Sequence, residues 1–99
     1  MTTYVYNAQG NAVGFVRGRF IHDLYGRPVG QLNGTHVHEL SGSYVGELHE
    51  NTIIRRGSYN PGNIGNPGNP GNPGSPGNPG NRGVRSFGAP VVTERLFGR

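Results

Sequence analysis

Hydrophobic residues recur at a fixed interval over the first half of the chain. Shifting the sequence by 16 residues, the distance from Val5 to Ile21, superposes hydrophobic positions on hydrophobic positions and glycines on glycines. The interval holds without a gap through residues 5–20, 21–36 and 37–52, and a fourth unit begins at Ile53. The superposed sets are Val5, Ile21, Val37 and Ile53; Val13, Val29 and Val45; Gly10, Gly26 and Gly42; and Gly14, Gly30 and Gly46. Such an interval indicates that one small structural unit is repeated.

Each unit combines two short strand-like runs with two turns. In the second unit, residues 21–24 and 28–32 have strand character, and Asn33-Gly34 is the pair most typical of a two-residue type I′ hairpin turn. Residues 49–51 hold the corresponding place in the third unit, and because they include no glycine we expect a looser turn there. Turns about every eight residues exclude helices of ordinary length. The pattern predicts an all-β fold, an antiparallel meander of about seven short strands.

The meander is expected to close on itself. An open meander exposes two strand edges that attract other chains. Closure into a ring with pseudo-four-fold symmetry, packing by the rest of the chain, or self-association through the edges would each protect them. Gly14, Gly30 and Gly46 fall inside strands at one repeat position, so we expect a shared cause, which is a bulge, a kink or a close approach of backbones.

Composition limits the function classes. Hydrophobic residues make up 31% of the chain and charged residues 14%, below the usual roughly 45–50% and 25%. We therefore predict one small β-repeat domain over residues 1–58, which is too slight for a large enzyme core. The absence of cysteine excludes disulfides, thiol nucleophiles and cysteine-ligated zinc. The amino terminus has neither a basic region nor a long apolar run, so we expect a cytoplasmic protein with no membrane span.

A periodic tract follows the repeats. Over residues 59–83 the chain reads mainly Asn-Pro-Gly, with glycine at every third position from Gly62 to Gly83. Proline favours polyproline II, and 24 residues in that form span about 74 Å, whereas the head has an expected diameter of about 25 Å. We expect a polyproline-II-like or polyglycine-II-like tail that projects beyond the head or associates along its length. A solvated spacer, a collagen-like triple helix and a polyglycine-II-like bundle all fit this pattern.

The last segment, residues 84–99, becomes apolar again. Residues 87–91 resemble residues 25–29 of the repeat, so they are a candidate for the missing half of the fourth unit. A short helix from Pro90 to Phe97, ended by Gly98, is an equally good interpretation.

The repeated unit resembles a known family. Residues 37–48, Val-His-Glu-Leu-Ser-Gly-Ser-Tyr-Val-Gly-Glu-Leu, are similar to the blades of four-fold beta-flower proteins, which are small bacterial proteins. The resemblance covers about residues 4–56, and the Asn-Pro-Gly tract resembles carboxy-terminal segments of some such proteins. It implies short strands and glycine-centred turns around a pseudo-four-fold axis. It implies no activity and no functional residues.

No catalytic motif, cofactor motif or metal site stands out. His22 and His38 are equivalent in the repeat, but Tyr6 and Ile54 complete their set, which is a poor set of metal ligands. The net charge of +4 comes from dispersed arginines rather than a dense basic face, which argues against a nucleic-acid partner.

Two function classes follow. The first is a non-catalytic structural or interaction protein that forms homo-oligomers through residues 60–83 or sheet edges, or contacts another protein. The alternative is a binding module for a polar ligand, which is a glycan, a peptide or a nucleic acid. Its candidate residues are the turn arginine Arg27 and an aromatic platform of Tyr4, Tyr6, Tyr25 and Tyr44.

Overall fold

The computed structural model, which describes residues 2–57, 60–68 and 70–97, is a closed β-barrel. Neighbouring strands along the chain pair antiparallel, and the first and last strands pair in parallel to close the ring. The prediction of an all-β closed meander is confirmed. The strands of the described residues are β1 (Thr3–Tyr6), β2 (Ala12–Arg17), β3 (Phe20–Asp23), β4 (Pro28–Asn33), β5 (His36–Glu39), β6 (Tyr44–His49) and β7 (Thr52–Ile54), and a short helix α1 (Thr93–Phe97) follows.

The hydrophobic set that defines the repeat lines the barrel core. Val5, Ile21, Val37 and Ile53 are each fully buried, and they pack with Val45, Val92 and Leu96 in one cluster. Burial of each such side chain stabilises the fold by about 1.5–3 kcal/mol. The 16-residue interval is therefore the interval at which the chain returns to the barrel interior.

A β-bulge recurs at one position of the repeat. The pairing register shifts after Val5, Ile21 and Val37, the residues opposite the strand glycines 14, 30 and 46. A Cβ at Gly30 would lie 2.9 Å from the carbonyl oxygen of His38, and Gly14 and Gly46 approach neighbouring carbonyls more closely still. The expected bulge and the expected close approach of backbones both occur at these glycines.

The C-terminal segment lies where the second half of the fourth unit would begin. The Arg55 amide donates to the Pro90 carbonyl at 3.0 Å, as the Asp23 amide donates to the Arg27 carbonyl at 2.8 Å in the second unit. Pro90 thus takes the place of Arg27, one residue from the alignment that the sequence resemblance suggested. Helix α1 begins at Thr93 rather than at the predicted Pro90, and among the described residues the segment joins β7 through an isolated bridge between Ile54 and Val91 instead of a further strand. The predicted end at Gly98 lies outside the described residues.

Side chains of the C-terminal segment fill the space that the strand glycines leave. A Cβ at Gly14 would lie 2.6 Å from Phe97 Cε1, and one at Gly30 would lie 2.8 Å from Leu96 Cδ1. At Gly46 the nearest side-chain atom is Val92 Cγ2, at 3.0 Å. Larger residues at these three positions would exclude the segment from the core.

Hydrogen bonds from outside the strands seal the barrel between β1 and β7. These strands share one register pair, Tyr6 with Thr52. The Thr93 hydroxyl donates to the Tyr6 carbonyl at 3.1 Å and accepts from the Ile53 amide at 3.3 Å, so it joins both strands. The Asn51 side chain adds a bond to the Tyr4 carbonyl at 2.9 Å.

Two predictions about the hairpin turns were wrong. Asn33 ends β4, and the central turn residues are Gly34 and Thr35; only Gly34 has a positive φ, +65°, which fits a type II′ turn. The glycine-free turn is also tight. Glu50 and Asn51 have φ of +48° and +65°, and two left-handed central residues are the geometry of type I′.

Candidate interaction site on the barrel rim

Three equivalent loops form one edge of the barrel, which we call the turn rim. In the second of them the Asp23 amide donates to Arg27, the Gly26 amide donates to Asp23 at 3.0 Å, and the Asp23 carboxylate accepts the Tyr25 and Arg27 amides at 2.9 Å. The same backbone bonds close the other two loops. The loops comprise residues 7–11, 23–27 and 39–43, and their glycines Gly10, Gly26 and Gly42 have φ of +85°, +91° and +110°.

The two buried histidines fasten rim loops to the barrel wall. His22 and His38 are 2% and 0% exposed. Their Nδ1 atoms lie 3.0 Å from the carbonyl oxygens of Gly26 and Gly42. Because a carbonyl only accepts, Nδ1 carries the proton and donates in both cases. These histidines hold the rim in shape, and within residues 2–57, 60–68 and 70–97 no group of three metal-binding side chains is found.

In the tract, the described residues 60–68 and 70–83 form a ribbon of turns that side-chain oxygens close. An Asn or Ser oxygen accepts the amide of the glycine two residues later, for example Asn66 with Gly68 at 2.9 Å and Ser75 with Gly77 at 3.2 Å. Such Asx turns mimic type II β-turns, which place proline second and a positive-φ glycine third. The same bond is made by Asn60, Asn72, Asn78 and Asn81.

This geometry corrects the expectation of a polyproline-II-like or polyglycine-II-like tail. All the tract glycines except Gly65 have φ between +84° and +90°, whereas polyproline II needs about −75° at every residue. The alternation bends the ribbon, and the described residues extend 34 × 33 × 23 Å. A tail projecting well beyond the head was therefore a wrong prediction for these residues.

The ribbon runs along the turn rim and contacts its three loops in turn. The Ile64 amide donates to the Gly42 carbonyl at 2.9 Å, and the Arg82 amide donates to the Gly10 carbonyl at 3.0 Å. Between them, Asn72 Nδ2 donates to the Tyr25 carbonyl at 3.3 Å. Three triplets of the tract thus span the distance between neighbouring rim loops, which are 16 residues apart in the sequence. The tract passes the loops in the reverse of their sequence order.

The rim glycines leave room for these contacts. A Cβ at Gly10 would lie 2.7 Å from the carbonyl carbon of Gly83, and a Cβ at Gly42 would lie 2.9 Å from that of Ile64. At Gly26 the Gly74 carbonyl oxygen would be 2.8 Å away. The neighbour at Gly42 is the second residue of its triplet, whereas Gly83 and Gly74 are the third residues of theirs, so all three rim glycines face the ribbon but not the same residue of the triplet.

The two triplets without proline are those that donate a backbone hydrogen bond to the rim. Residues 63–65 read Asn-Ile-Gly and residues 81–83 read Asn-Arg-Gly. Proline has no amide hydrogen and could not make the bonds of Ile64 and Arg82. Sequence reasoning missed this site, although the two interruptions of the Asn-Pro-Gly pattern were its signal.

Arg82 anchors the end of the tract beside the β1–β7 closure. Its Nη2 donates to the Glu50 carbonyl at 2.6 Å and to Thr52 Oγ1 at 2.7 Å. The guanidinium carbon also lies 4.1 Å from the centre of the Tyr6 ring, a cation–π contact. Burial lowers the pKa of Arg82 and Arg85 lowers it further, while Tyr6 and Glu50 act in the opposite direction.

The structure gives the candidate ligand-binding tyrosines different neighbours. Tyr6 faces Arg82, and Tyr44 lies 5.0 Å from the Arg55 guanidinium and against the rings of two histidines. Tyr25 is 78% exposed. The hydroxyl of Tyr4 donates to a tract carbonyl, that of Pro76, at 3.1 Å.

Arg27 lies beside two grooves. It pairs with Asp23 at 2.9 Å and lines a groove of about 550 Å³ between the barrel and the tract, with Leu40 and Asn66. With Tyr25 it lines a second groove of about 260 Å³. A polar-ligand site at these residues stays a prediction.

Comparisons with known proteins agree with the repeat architecture. A family model described as 4-fold beta flower protein matches residues 3–95, which is more than half of the chain. No curated protein and no solved structure matches this chain. In the part of the chain that the structure describes, no helix is long and apolar enough to cross a membrane.

Proposed function

The chain belongs to the 4-fold beta flower family, and from its rim we propose that it is a non-catalytic assembly protein that self-associates by exchanging its tract between copies. The observation that carries the proposal is the repeated docking of the tract, in which three equivalent rim loops each receive one triplet. The rim is thus a binding site for an Asn-X-Gly ribbon, and the chain carries its own ligand.

Exchange between copies preserves the contacts seen within one copy. The tract is bound through hydrogen bonds to rim carbonyls and through Arg82, and a second copy presents the same groups. Residues 55–62 connect β7 to the first docked triplet, and eight residues span at most about 29 Å. Docking in cis is favoured at low concentration, because a tethered segment has an effective concentration in the millimolar range. We therefore expect assembly to increase with protein concentration.

A non-catalytic role agrees with how the polar side chains are used. His22 and His38 donate to rim carbonyls, and Gln31, which is fully buried, donates to the Glu39 carbonyl and to the Gly65 carbonyl of the tract, both at 3.1 Å. These groups support binding of the tract.

The test is the exchange of subunits between two populations of the full chain. Isotopically labelled and unlabelled protein are mixed at increasing concentration, and native mass spectrometry measures mixed species, with light scattering giving the solution mass. We expect mixed dimers or larger species at high concentration. A variant with Arg82→Ala and Asn81→Ser loses the same bonds in cis and in trans, so its subunits should mix faster than those of wild type. Asn78→Ser changes a side chain that, among the described residues, bonds to Gly80, and it should mix at the wild-type rate. A monomeric mass at every concentration up to about 1 mM would contradict the proposal.

A second function, binding of a small polar ligand, is supported by the groove at Arg27. The groove combines a guanidinium, an apolar wall from Leu40 and the Asn66 amide, and sites of this kind orient ligands with few polar groups. Retention of the full chain on glycan and peptide arrays should be lost in Arg27→Ala and reduced in Tyr25→Ala. Tyr44→Ala serves as a comparison, because Tyr44 contacts His36, His38 and Arg55 instead. Retention that persists in Arg27→Ala would dispose of this alternative.

A further inference from the structure

We infer that the turn rim is a sequence-reading peptide site whose ligand is a chain of Asn-X-Gly triplets, and that proline-free triplets set the register. The inference rests on the proposed function in one respect, since it names the ligand of the same site. The occupant to which we commit is the tract of a second copy.

The docked triplets bind the rim loops through different hydrogen-bond donors. At the two outer loops the middle residue of the triplet donates its backbone amide, Ile64 to Gly42 and Arg82 to Gly10. At the middle loop the corresponding residue is Pro73, and the Asn72 side chain donates instead, to Tyr25. The Asn81 side chain makes the equivalent bond to Gln9 at 2.9 Å. The rim therefore accepts a hydrogen bond from an Asn side-chain amide at the Gly26 and Gly10 loops. It accepts one from a backbone amide at the Gly42 and Gly10 loops.

The middle loop tolerates proline because a histidine already donates to its glycine carbonyl. The Gly26 carbonyl accepts from His22 Nδ1, so it stays hydrogen-bonded although Pro73 has no amide hydrogen to donate. The Gly10 loop has Tyr6 at the repeat position of that histidine, and its glycine carbonyl accepts from Arg82. The Gly42 carbonyl accepts from both His38 and Ile64 through its two lone pairs.

The positions of the prolines also determine which triplet can lie opposite which rim loop. Sliding the tract by one triplet in one direction places Pro61 and Pro79 opposite the outer loops, and sliding it in the other direction places Pro67 opposite Gly42. Either slip removes at least one backbone donor. Because an unmade hydrogen bond weakens binding about 2- to 12-fold, the prolines act against wrong registers.

The experiment uses the full chain with its own two donors removed and its rim unchanged. Ile64→Pro with Arg82→Pro converts both anchors to the Asn-Pro-Gly sequence found elsewhere in the tract, and the triplet that ends at Gly83 already has the positive φ of the other Asn-Pro-Gly turns. A fluorescent peptide with the sequence of residues 60–83 is titrated into this variant, and anisotropy measures binding. A second peptide carries the same two prolines, and a third carries Ile64→Ala and Arg82→Ala, which keep the amide hydrogens.

We expect the wild-type peptide to bind and the proline peptide to bind at least about 5-fold more weakly, since it lacks two hydrogen bonds. The alanine peptide should bind more tightly than the proline peptide. Equal binding of the wild-type and proline peptides, or no binding of either, would overturn the inference.

A second measurement covers the case in which the variant does not fold. In the wild-type chain, hydrogen exchange at the amides of Ile64 and Arg82 should be slower than at the amides of Asn66 and Asn78, and equal rates would overturn the inference. Failure here is distinguishable from failure of self-association. If the chain remains monomeric but binds the wild-type peptide more tightly than the proline peptide, the rim site is supported and self-association is contradicted. If the chain exchanges subunits but binds both peptides equally, self-association is supported and the role of the proline-free triplets is contradicted.

Discussion

The barrel and the tract are both periodic and rich in glycine, but they need glycine for different reasons. In the barrel, Gly14 and Gly42 lie where a Cβ would meet another part of the chain within 3.0 Å. In the tract, Gly68 and Gly77 have no atom within 4 Å of a Cβ, yet their φ values are +85° and +90°. The first set makes room for contacts, and the second set makes the turns that shape the ribbon. The two sets meet at the rim, where Gly10, Gly26 and Gly42 satisfy both needs.

The largest effect is expected at a rim glycine. Gly42→Ala adds a Cβ at a φ of +110° and against the Ile64 carbonyl. A left-handed conformation costs an ordinary residue about 1–2 kcal/mol, and overpacking costs about 1–3 kcal/mol more. We expect the free energy of unfolding, measured by urea denaturation, to fall by about 2–5 kcal/mol. Gly34→Ala is the control, because φ is +65° there and nothing lies within 4 Å; a loss as large as that of Gly42→Ala would contradict the steric explanation.

A somewhat smaller effect is expected at a strand glycine. Gly14→Ala places a Cβ against Phe97 and the His22 carbonyl, so overpacking should cost about 1–3 kcal/mol of unfolding free energy. The double variant with Phe97→Ala tests the cause, because removing the ring relieves one of the two collisions. Measured in a double-mutant cycle, Gly14→Ala should cost less in the Phe97→Ala background than in wild type. Equal costs would mean that α1 does not pack against this glycine.

The loss of the arginine anchor should have a comparable or smaller effect. Arg82→Ala removes the bonds to Glu50 and Thr52 and the contact with Tyr6, but it keeps the amide that donates to Gly10. Hydrogen bonds to a charged group contribute about 1.5–3 kcal/mol, and we expect a loss in the lower part of that range because exposed bonds are weaker. Tract amides should exchange faster by NMR. Arg85→Ala, which removes one exposed ion pair with Glu50, should change unfolding by less than about 1 kcal/mol.

The smallest effect on stability is expected for a serine substitution at Asn81, which separates the role of that side chain in the turn from its role in docking. Ser75 shows that serine can accept the glycine amide in place of asparagine. Asn81→Ser should therefore keep the turn and lose the Nδ2 bonds to Gln9 and Asn11, at a cost of about 0.5–1.5 kcal/mol. Asn78→Ser makes the same chemical change at a side chain whose hydrogen bond, within the described part of the chain, goes to Gly80. Thermal denaturation of the two variants should differ, and equal melting temperatures would contradict a docking role for Asn81.

Much of the barrel was predictable because its information is local and repeated. The interval from Val5 to Ile21 predicted the core positions, and the turn spacing predicted the strands and their antiparallel order. The predicted turn at Asn33-Gly34 was displaced by one residue, since propensity does not say which residue of the pair ends the strand. Glu50-Asn51 was misjudged because tertiary contacts can hold ordinary residues in left-handed conformations.

The rim site was not predictable from local preference. Proline at most triplets favours polyproline II in an isolated chain, and the opposing preference, an Asx turn with a positive-φ glycine, uses the same residues. Docking depends on where three loops separated by 16 residues place their carbonyls in space. Ile64 and Arg82 interrupt the proline pattern at the two docking points, but their meaning is visible only once the barrel is closed.

The most direct test of the account is NMR detection of scalar couplings across the tract–rim hydrogen bonds. In the isotopically labelled chain, docking of the tract predicts couplings from the Ile64 nitrogen to the Gly42 carbonyl carbon and from the Arg82 nitrogen to that of Gly10, where the amide-to-oxygen distances are 2.9 and 3.0 Å. The Leu32 amide, 2.7 Å from the Arg19 carbonyl oxygen, is the internal reference within the barrel. Observation of the reference coupling without either tract coupling would contradict docking of the tract on the rim.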